Sequence, residues 1–182
     1  MSACQLKGNP TAYNHKLVEV TGFVSHGFED FSLFDPDCLP WMGIWLEYGG
    51  TEKSGTMYCC GVTATRSRPT PLKVEGIPIL LVKDEQFRSF NELIQHPPDR
   101  LVHATLIGRF FAGHPRKTVS GELSEAGYGH MGCCSLLAIQ EVVTVDGQGR
   151  DDIDYRAGYE QPDIDKGTSS LTSTKWDVGT VT

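Results

Sequence analysis

The chain lacks the long apolar segments that would insert it into a membrane. Its 182 residues contain no run approaching the roughly 18 consecutive apolar residues that a membrane-spanning helix needs. Residues 1–8 contain no apolar signal region either. The sequence therefore predicts a cytoplasmic protein with no membrane partner, although a trimmed secreted form would look the same. A hydrophobic fraction of 39% with 21% charged residues is that of an ordinary soluble protein.

A surplus of basic residues is also missing. The net charge is −7, of which residues 146–182 contribute −4. Tight binding to nucleic acid depends on lysine and arginine contacts to phosphate, so an acidic chain favours a protein or a small polar ligand as partner. The alternative of a single-stranded nucleic-acid binder requires a local basic groove. The residues available for such a groove are Arg66, Arg68, Arg109, Arg116 and Lys117.

A catalytic signature is absent as well. Gly127, Gly129 and Gly132 have the spacing of a dinucleotide-binding motif, but that motif must follow a strand and open a helix. Here it precedes a strand. We interpret residues 127–134 as a turn that displays Tyr128 and His130, with glycine supplying the positive φ angles. Since no nucleophile elbow is present either, the balance favours a noncatalytic protein, and we assign no catalytic residue.

What the chain does contain is alternation of apolar and polar residues, which predicts five strands. They are expected at residues 17–24, 31–34, 43–48, 101–111 and 133–145. Gly22 and Gly108 lie inside the first and the fourth strand, where a barrel strand has to bend. Residues 113–127, between the last two strands, are predicted to be a long polar loop.

The strands occur in the order of a known barrel. A helix is predicted from Asp84, as its N-cap, to about Gln95. Three strands, this helix and two further strands give a mainly β chain with the element order of the OB-fold, a five-stranded Greek-key barrel with its helix between strands 3 and 4. The apolar face of the helix, at three- and four-residue spacing, consists of Phe87, Phe90, Leu93 and Ile94.

Two segments fall outside this barrel. Residues 49–80 are predicted to be an insertion that contains a hairpin, with its tip at residues 51–55 and its return strand at 56–60. Residues 1–148 are thus expected to form the OB-like barrel domain, and residues 149–182 an acidic, irregular tail that is flexible or loosely docked. The aromatic residues of this tail also allow a homo-oligomer that is held together through it.

Six short motifs are distributed between residue 9 and about residue 145. They are Asn9-Pro10-x-x-Tyr13, Val20-Thr21-Gly22-Phe23, Gly27-Phe28-Glu29, Gly43-Ile44-Trp45-Leu46, Gly108-Arg109-Phe110-Phe111 and Gly127–Cys134. With these motifs the chain resembles a group of bacterial proteins of unassigned function that carry an OB-fold-like domain. The resemblance implies the barrel fold but no activity, because OB-folds bind oligonucleotides, oligosaccharides or protein partners, and the fold does not choose among them.

Two pairs of adjacent cysteines stand out among the six cysteines. If the insertion folds over the barrel mouth, Cys59 and Cys60 approach Cys133 and Cys134, with His130 and Cys38 nearby. The two pairs and His130 are the candidates for a zinc site or a disulfide. Adjacent residues on a strand point to opposite faces, so each pair would supply one zinc ligand. Free thiols packed as small hydrophobic groups are the other interpretation. On balance no cofactor is expected, and zinc is kept as an alternative.

Aromatic residues cluster on or near the second and third predicted strands, which form the usual ligand face of an OB barrel. Such rings can stack on bases or sugars, or they can pack in the core. Carboxylates in two turns, Glu29-Asp30 and Asp35-x-Asp37, can bind a cation but are interpreted as turn residues. The candidates for ligand binding are Phe31, Trp41, Trp45, Tyr48, Tyr128 and His130.

Three hypotheses for the function follow. The leading one is a noncatalytic binding or assembly module that uses the barrel face or the inserted hairpin. The first alternative is a metal- or thiol-dependent protein centred on the paired cysteines and His130. The second alternative is the single-stranded nucleic-acid binder.

Overall fold

Strands dominate the structure. A computed structural model describes residues 1–38, 43–56, 68–95, 102–117 and 123–146. In chain order the strands are β1 (Leu17–His26), β2 (Phe31–Phe34), β3 (Ile44–Tyr48), β4 (Lys73–Val74), β5 (Ile77–Pro78), β6 (Val102–Phe111), β7 (His114–Lys117), β8 (Leu123–Ala126) and β9 (Leu136–Asp146). The helices are α1 (Ala3–Gly8), α2 (Pro10–Tyr13) and α3 (Glu85–Ile94), and His130–Gly132 forms a 3-10 turn.

Five of the strands close into a barrel. Their order is β1-β2-β3-β9-β6, and β6 pairs back onto β1. Neighbouring strands are antiparallel except β3 and β9, which run parallel. The predicted fold class is confirmed: the chain is mainly β, with a closed mixed barrel of five strands and a helix between the third and fourth, consistent with an OB-like barrel.

The long strands β1 and β6 bury every second residue. Val18, Val20 and Val24 face the core, as their spacing predicts. Gly22 and Gly108 lie where the neighbouring strand leaves no room for a side chain, because a Cβ at either position would be 2.7 Å from a carbonyl oxygen of that strand. Glycine therefore lets this barrel curve tightly at both sites.

Helix α3 packs its apolar face against the barrel core. The Asp84 side chain caps it by accepting a hydrogen bond of 2.9 Å from the Phe87 amide, as predicted. Phe87, Phe90 and Ile94 are buried against the strands. The Tyr48 ring meets the ring of Phe87 edge-on with centroids 5.3 Å apart, so β3 and α3 share one aromatic core.

The inserted segment contains a hairpin that the sequence did not predict. Its hairpin, within the part of the chain that the structure describes, is β4–β5, whose turn has Glu75 at φ 50° and Gly76 at φ 80°. Residues 51–55, the predicted tip, belong to no strand, and residues 57–60 of the predicted return strand lie outside the described residues. Positive φ at both turn positions is the geometry of a tight two-residue hairpin turn. The sequence signal was weak because such turns usually begin with Asn, Asp or Gly rather than Glu.

The segment 113–127 is also not the polar loop that we predicted. It contains a second hairpin, β7–β8, with His114 opposite Ala126. Every residue of β7 is exposed, so no alternation of apolar and polar residues marks it in the sequence. Helices α1 and α2 were missed because six and four residues are too few to display a helical period.

The described residues all fall within one compact unit, Met1–Asp151. None of the helices that the structure describes has the length and apolar character needed to cross a bilayer. The predicted tail at residues 149–182 lies outside the described residues, and its boundary stays a prediction.

Candidate functional site

The predicted aromatic platform is largely buried. Phe31 and Tyr48 are 0% exposed and belong to the main core, while Trp45 is 3% exposed. The hydroxyl of Tyr48 donates a hydrogen bond of 3.2 Å to Asn91 Oδ1. These side chains pack in the interior, which was the alternative to ligand binding in the sequence analysis. Their rings are not exposed for stacking on a ligand. Trp41 lies outside the described residues.

Trp45 is buried for a different reason, since the chain's own loop covers it. We name residues Gly127–Cys134 the capping loop. Gly129 lies against the indole so closely that a Cβ there would be 2.5 Å from a ring atom, and its φ is 79°. Only glycine combines that contact with that backbone angle. At Trp45, the barrel face that OB-folds use for ligands is therefore occupied by the capping loop.

The capping loop is held in shape by its own backbone. The Gly127 amide donates to the Gly132 carbonyl oxygen at 2.8 Å, and Tyr128 and Cys134 exchange two backbone hydrogen bonds of 2.8 and 3.0 Å. Met131, at the apex, has φ 57° and is 72% exposed. The loop is thus an ordered element that holds an apolar side chain in solvent.

The hairpin β4–β5 and the capping loop pack together on the outside of the barrel. Their contact is a second apolar cluster, separate from the main core. Tyr128 and Cys133 are partly buried against it. The buried members of this cluster are Trp45, Val74, Ile79, Phe111, Cys134, Leu136 and Ala138.

A polar group lies beside this apolar cluster, and we name it the Glu75 cluster: His15, Glu75 and Tyr128. Nε2 of His15 is 2.6 Å from Oε2 of Glu75, and the Tyr128 hydroxyl donates to Oε1 of the same carboxylate. The side chains of His15 and Glu75 are 45% and 44% exposed. Three distant segments, namely the residues before β1, the β4–β5 turn and the capping loop, therefore meet at one carboxylate.

The pKa values of Glu75 and Tyr128 are both shifted within the Glu75 cluster. The hydrogen bond from Tyr128, and then that from His15, hold the pKa of Glu75 below its usual value. Partial burial, and then the hydrogen bond to Glu75, raise the pKa of the Tyr128 phenol well above its usual range. The carboxylate therefore stays ionised and the phenol protonated near neutral pH. Such a pair suits binding better than proton transfer.

His130 connects the capping loop to the β1–β2 turn. Its Nε2 lies 3.8 Å from Oε2 of Glu29, with 26% of the His130 side chain exposed. Its Nδ1 is buried and has no hydrogen-bond partner among the described residues. Of the predicted site residues, the structure thus brings Tyr128 and His130 onto one loop, and it places Phe31 and Tyr48 elsewhere.

Four cysteines form disulfides; a disulfide at Cys133 and Cys134 was one of the predicted alternatives, but the partners were not predicted. A disulfide joins Cys133 to Cys134, and another joins Cys4 to Cys38. The interpretation as free thiols therefore does not hold for Cys133 and Cys134. The upstream pair Cys59-Cys60 lies outside the described residues, so its approach to the capping loop stays a prediction.

Two of the arginines proposed for a basic groove form hydrogen bonds with other residues of the chain. Arg68 Nη1 donates to the Tyr48 carbonyl oxygen at 2.7 Å, and its Nη2 pairs with the buried carboxylate of Glu47. Arg109 Nη1 donates to the His15 carbonyl oxygen at 2.6 Å. Arg66 lies outside the described residues. These contacts weaken the case for a groove that binds phosphates.

Sequence reasoning missed His15 and Glu75. Neither residue lies in a motif, and they are 60 positions apart. The one available signal was Gly76 after Glu75, which permits a tight turn between two short apolar segments. Nothing in the sequence pairs that turn with Tyr128.

Comparisons with protein-family models, with curated proteins and with solved structures found no match. The resemblance to bacterial proteins with an OB-like domain accordingly stays a prediction. The function has to be argued from the geometry of the site itself.

Proposed function

We propose that this chain is a noncatalytic binding module whose ligand contacts the capping loop and the β4–β5 hairpin. The hairpin lies within the predicted inserted segment, at residues other than those predicted for its hairpin, and the capping loop covers Trp45. The ligand is a protein segment or a small polar molecule.

The distribution of backbone strain carries this proposal. Among the described residues, three that are not glycine have positive φ: His15 at 63°, Glu75 at 50° and Met131 at 57°. Each such residue costs roughly 1–2 kcal/mol relative to ordinary backbone. All three lie in the segments that the Glu75 cluster joins. Strained residues concentrate at binding and active sites, where the surrounding structure holds them in place.

The chemistry of this surface favours a ligand that donates hydrogen bonds. Glu75 and Glu29 supply carboxylate oxygens, each about half exposed. Phe28 and Met131, which adjoin Glu29 and His130 in the sequence, are 67% and 72% exposed and offer apolar contact. Amines, amides and hydroxyl groups match such acceptors, whereas phosphate groups would be repelled.

A binding experiment on the full-length chain tests the proposal. Small amines, amides and polyols are screened against ¹⁵N-labelled protein by amide chemical shifts. We expect compounds that bind to shift the amides of residues 75–76 and 128–132. Glu75→Gln should weaken their binding about tenfold, the effect of removing a hydrogen bond to a charged group.

The control variant is Glu52→Gln, which neutralises another partly exposed carboxylate, one paired with Lys83, and should leave affinity unchanged. Shifts confined to the open depression of about 480 Å³ lined by Thr51 and Gln95 would contradict the proposal. Equal affinity of wild type and Glu75→Gln would do so too. Tight binding of an oligothymidine at low salt, lost at higher salt, would support the nucleic-acid alternative.

One observation favours a second candidate function, that of a thiol-dependent protein. The Cys133–Cys134 disulfide lies at the end of the capping loop, next to the turn that carries His130. Exchange with a dithiol would convert it to two thiols. If this is the function, the full chain should reduce and reoxidise reversibly and catalyse thiol exchange in a model disulfide. Loss of that exchange in Cys133→Ser, with Cys4→Ser unaffected, would support it.

A further inference from the structure

We propose a divalent-metal site formed by Cys4, Asp35 and Cys38, which becomes available when the disulfide between the two cysteines is reduced. One ligand atom from each residue, two sulfurs and a carboxylate oxygen, lies within 4.8 Å of the other two. All three residues are partly buried. The site is separate from the capping loop and does not depend on the function proposed above.

Local structure explains why these three side chains converge. Cys4 is in the first turn of α1, which is fixed by reciprocal hydrogen bonds between Ser2 and Gln5. Asp35 and Cys38 are the ends of a turn after β2, closed by a hydrogen bond of 3.0 Å from the Cys38 amide to the Asp35 carbonyl oxygen. Two residues separate them, which is the spacing that lets paired ligands turn toward one ion.

The donor set selects the type of metal. Two thiolates with one carboxylate suit zinc and similar borderline ions, whereas magnesium and calcium prefer oxygen ligands alone. In tetrahedral zinc, bonds of about 2.3 Å place two sulfurs roughly 3.8 Å apart. The Cα atoms of Cys4 and Cys38 are 5.4 Å apart, so small side-chain rotations bring the sulfurs from the bonded to the ligating position. Three protein ligands leave a fourth position open for water or an external ligand.

A dithiol converts the disulfide form of the site to the metal-binding form. The dithiol reduces the Cys4–Cys38 bond to two thiols and becomes a disulfide itself. A divalent ion then binds both sulfurs and releases two protons. In the reverse direction the disulfide form of that reagent accepts two electrons and two protons and becomes the dithiol again, while the Cys4–Cys38 bond re-forms and the ion is released. Metal binding and the disulfide are therefore mutually exclusive.

Cobalt titration of the full-length chain tests the proposal. Protein reduced with a dithiol and desalted without oxygen should bind Co²⁺ with a sulfur-to-cobalt charge-transfer band, which Zn²⁺ then displaces. The disulfide form should give no band. Alkylation in the presence of Zn²⁺, mapped by peptide mass, should show protection at Cys4 and Cys38 and none at Cys133 or Cys134.

Variants locate the ligands. Cys38→Ser should abolish the band, and Asp35→Asn should weaken Co²⁺ binding by about tenfold or more, since even outer-shell changes have effects of that size. Asp37→Asn is the matched control, a carboxylate in the same turn that is not part of the cluster, and should bind as wild type. A band that persists in Cys38→Ser, or equal affinity in Asp35→Asn and wild type, overturns the assignment. Circular dichroism shows whether Cys38→Ser is folded. If it is not, the Co²⁺ affinity of Asp35→Asn and the alkylation map still test the metal site.

Discussion

Glu47 is an acidic residue on the outer face of β3, yet only 6% of it is exposed. Arg68, 21 positions away, pairs with its carboxylate and also donates to the Tyr48 carbonyl oxygen. Burial raises the pKa of Glu47, and the charge of Arg68 opposes that rise. At the scale of single residues, the state of Glu47 thus depends on a partner that no local pattern identifies.

Replacing Arg68 with methionine should lower the free energy of unfolding by about 3 kcal/mol, because it leaves the Glu47 charge buried and unpaired. We expect Glu47→Gln combined with Arg68→Met to recover most of this loss. Urea unfolding at pH 7 measures both. A double variant as unstable as Arg68→Met would show that lost packing, rather than the charge, is responsible.

The same pair predicts a dependence on pH. Because the folded-state pKa of Glu47 is raised above its usual 4.5, folded protein holds this proton more tightly than the unfolded chain does. Its contribution to stability therefore falls as pH rises from 4.5 through the folded-state pKa. Without Arg68 the pKa of Glu47 rises further, so lowering the pH toward 4.5 protonates the buried carboxylate and removes its charge. The loss in free energy of unfolding caused by Arg68→Met should therefore become smaller. If the loss in free energy of unfolding is the same at every pH, the charge of Glu47 is not its cause.

At the scale of elements, the capping loop depends on one glycine. Gly129→Ala should destabilise the protein by about 1–3 kcal/mol, because the new Cβ meets the Trp45 ring at a positive φ. Hydrogen exchange should speed up at residues 127–134. Gly27→Ala is the matched control, since a Cβ there has nothing within 4 Å, and it should stay within about 0.5 kcal/mol of wild type. If the two variants change stability and hydrogen exchange equally, the contact between Gly129 and Trp45 does not stabilise the capping loop.

The elements themselves differ in how far the sequence predicts them. Helix α3 was predictable because its N-cap and its apolar face are local signals. The long strands β1 and β6 were predictable for the same reason, as one face of each is buried. Strand β7 was not predictable, because all four of its residues are exposed and produce no alternation of apolar and polar residues. Local patterns reveal an element only where burial shapes its composition.

At the scale of the whole molecule, the Cys4–Cys38 disulfide joins α1 to the turn after β2 across 34 positions. Closing a loop of that length lowers the entropy of the unfolded chain and so raises its free energy by about 4 kcal/mol at 25 °C. Cys4→Ser with Cys38→Ser should therefore lower stability by about 2–4 kcal/mol in the absence of reductant. Urea unfolding with and without a dithiol measures this, and the difference should vanish when both proteins are reduced.

The paired substitution Cys133→Ser with Cys134→Ser provides the control for this experiment. Adjacent cysteines enclose almost no loop, so the unfolded chain loses little entropy through their bond. We expect a smaller change in stability than for the Cys4–Cys38 pair. The reverse order would mean that the capping loop, rather than chain entropy, dominates the effect of the disulfides.

The sequence by itself determined the barrel: its five strands, the helix between the third and fourth, and the inward residues of β1 and β6. These elements are predictable because burial of one face makes apolar and polar residues recur at regular spacing along the chain. Only the tertiary structure decided the candidate site. The contacts of Glu75 with His15 and Tyr128, of Gly129 with Trp45, and of Cys4 with Cys38 join segments that are far apart in the chain. Such pairings depend on how the closed barrel brings loops together, and no local pattern records them.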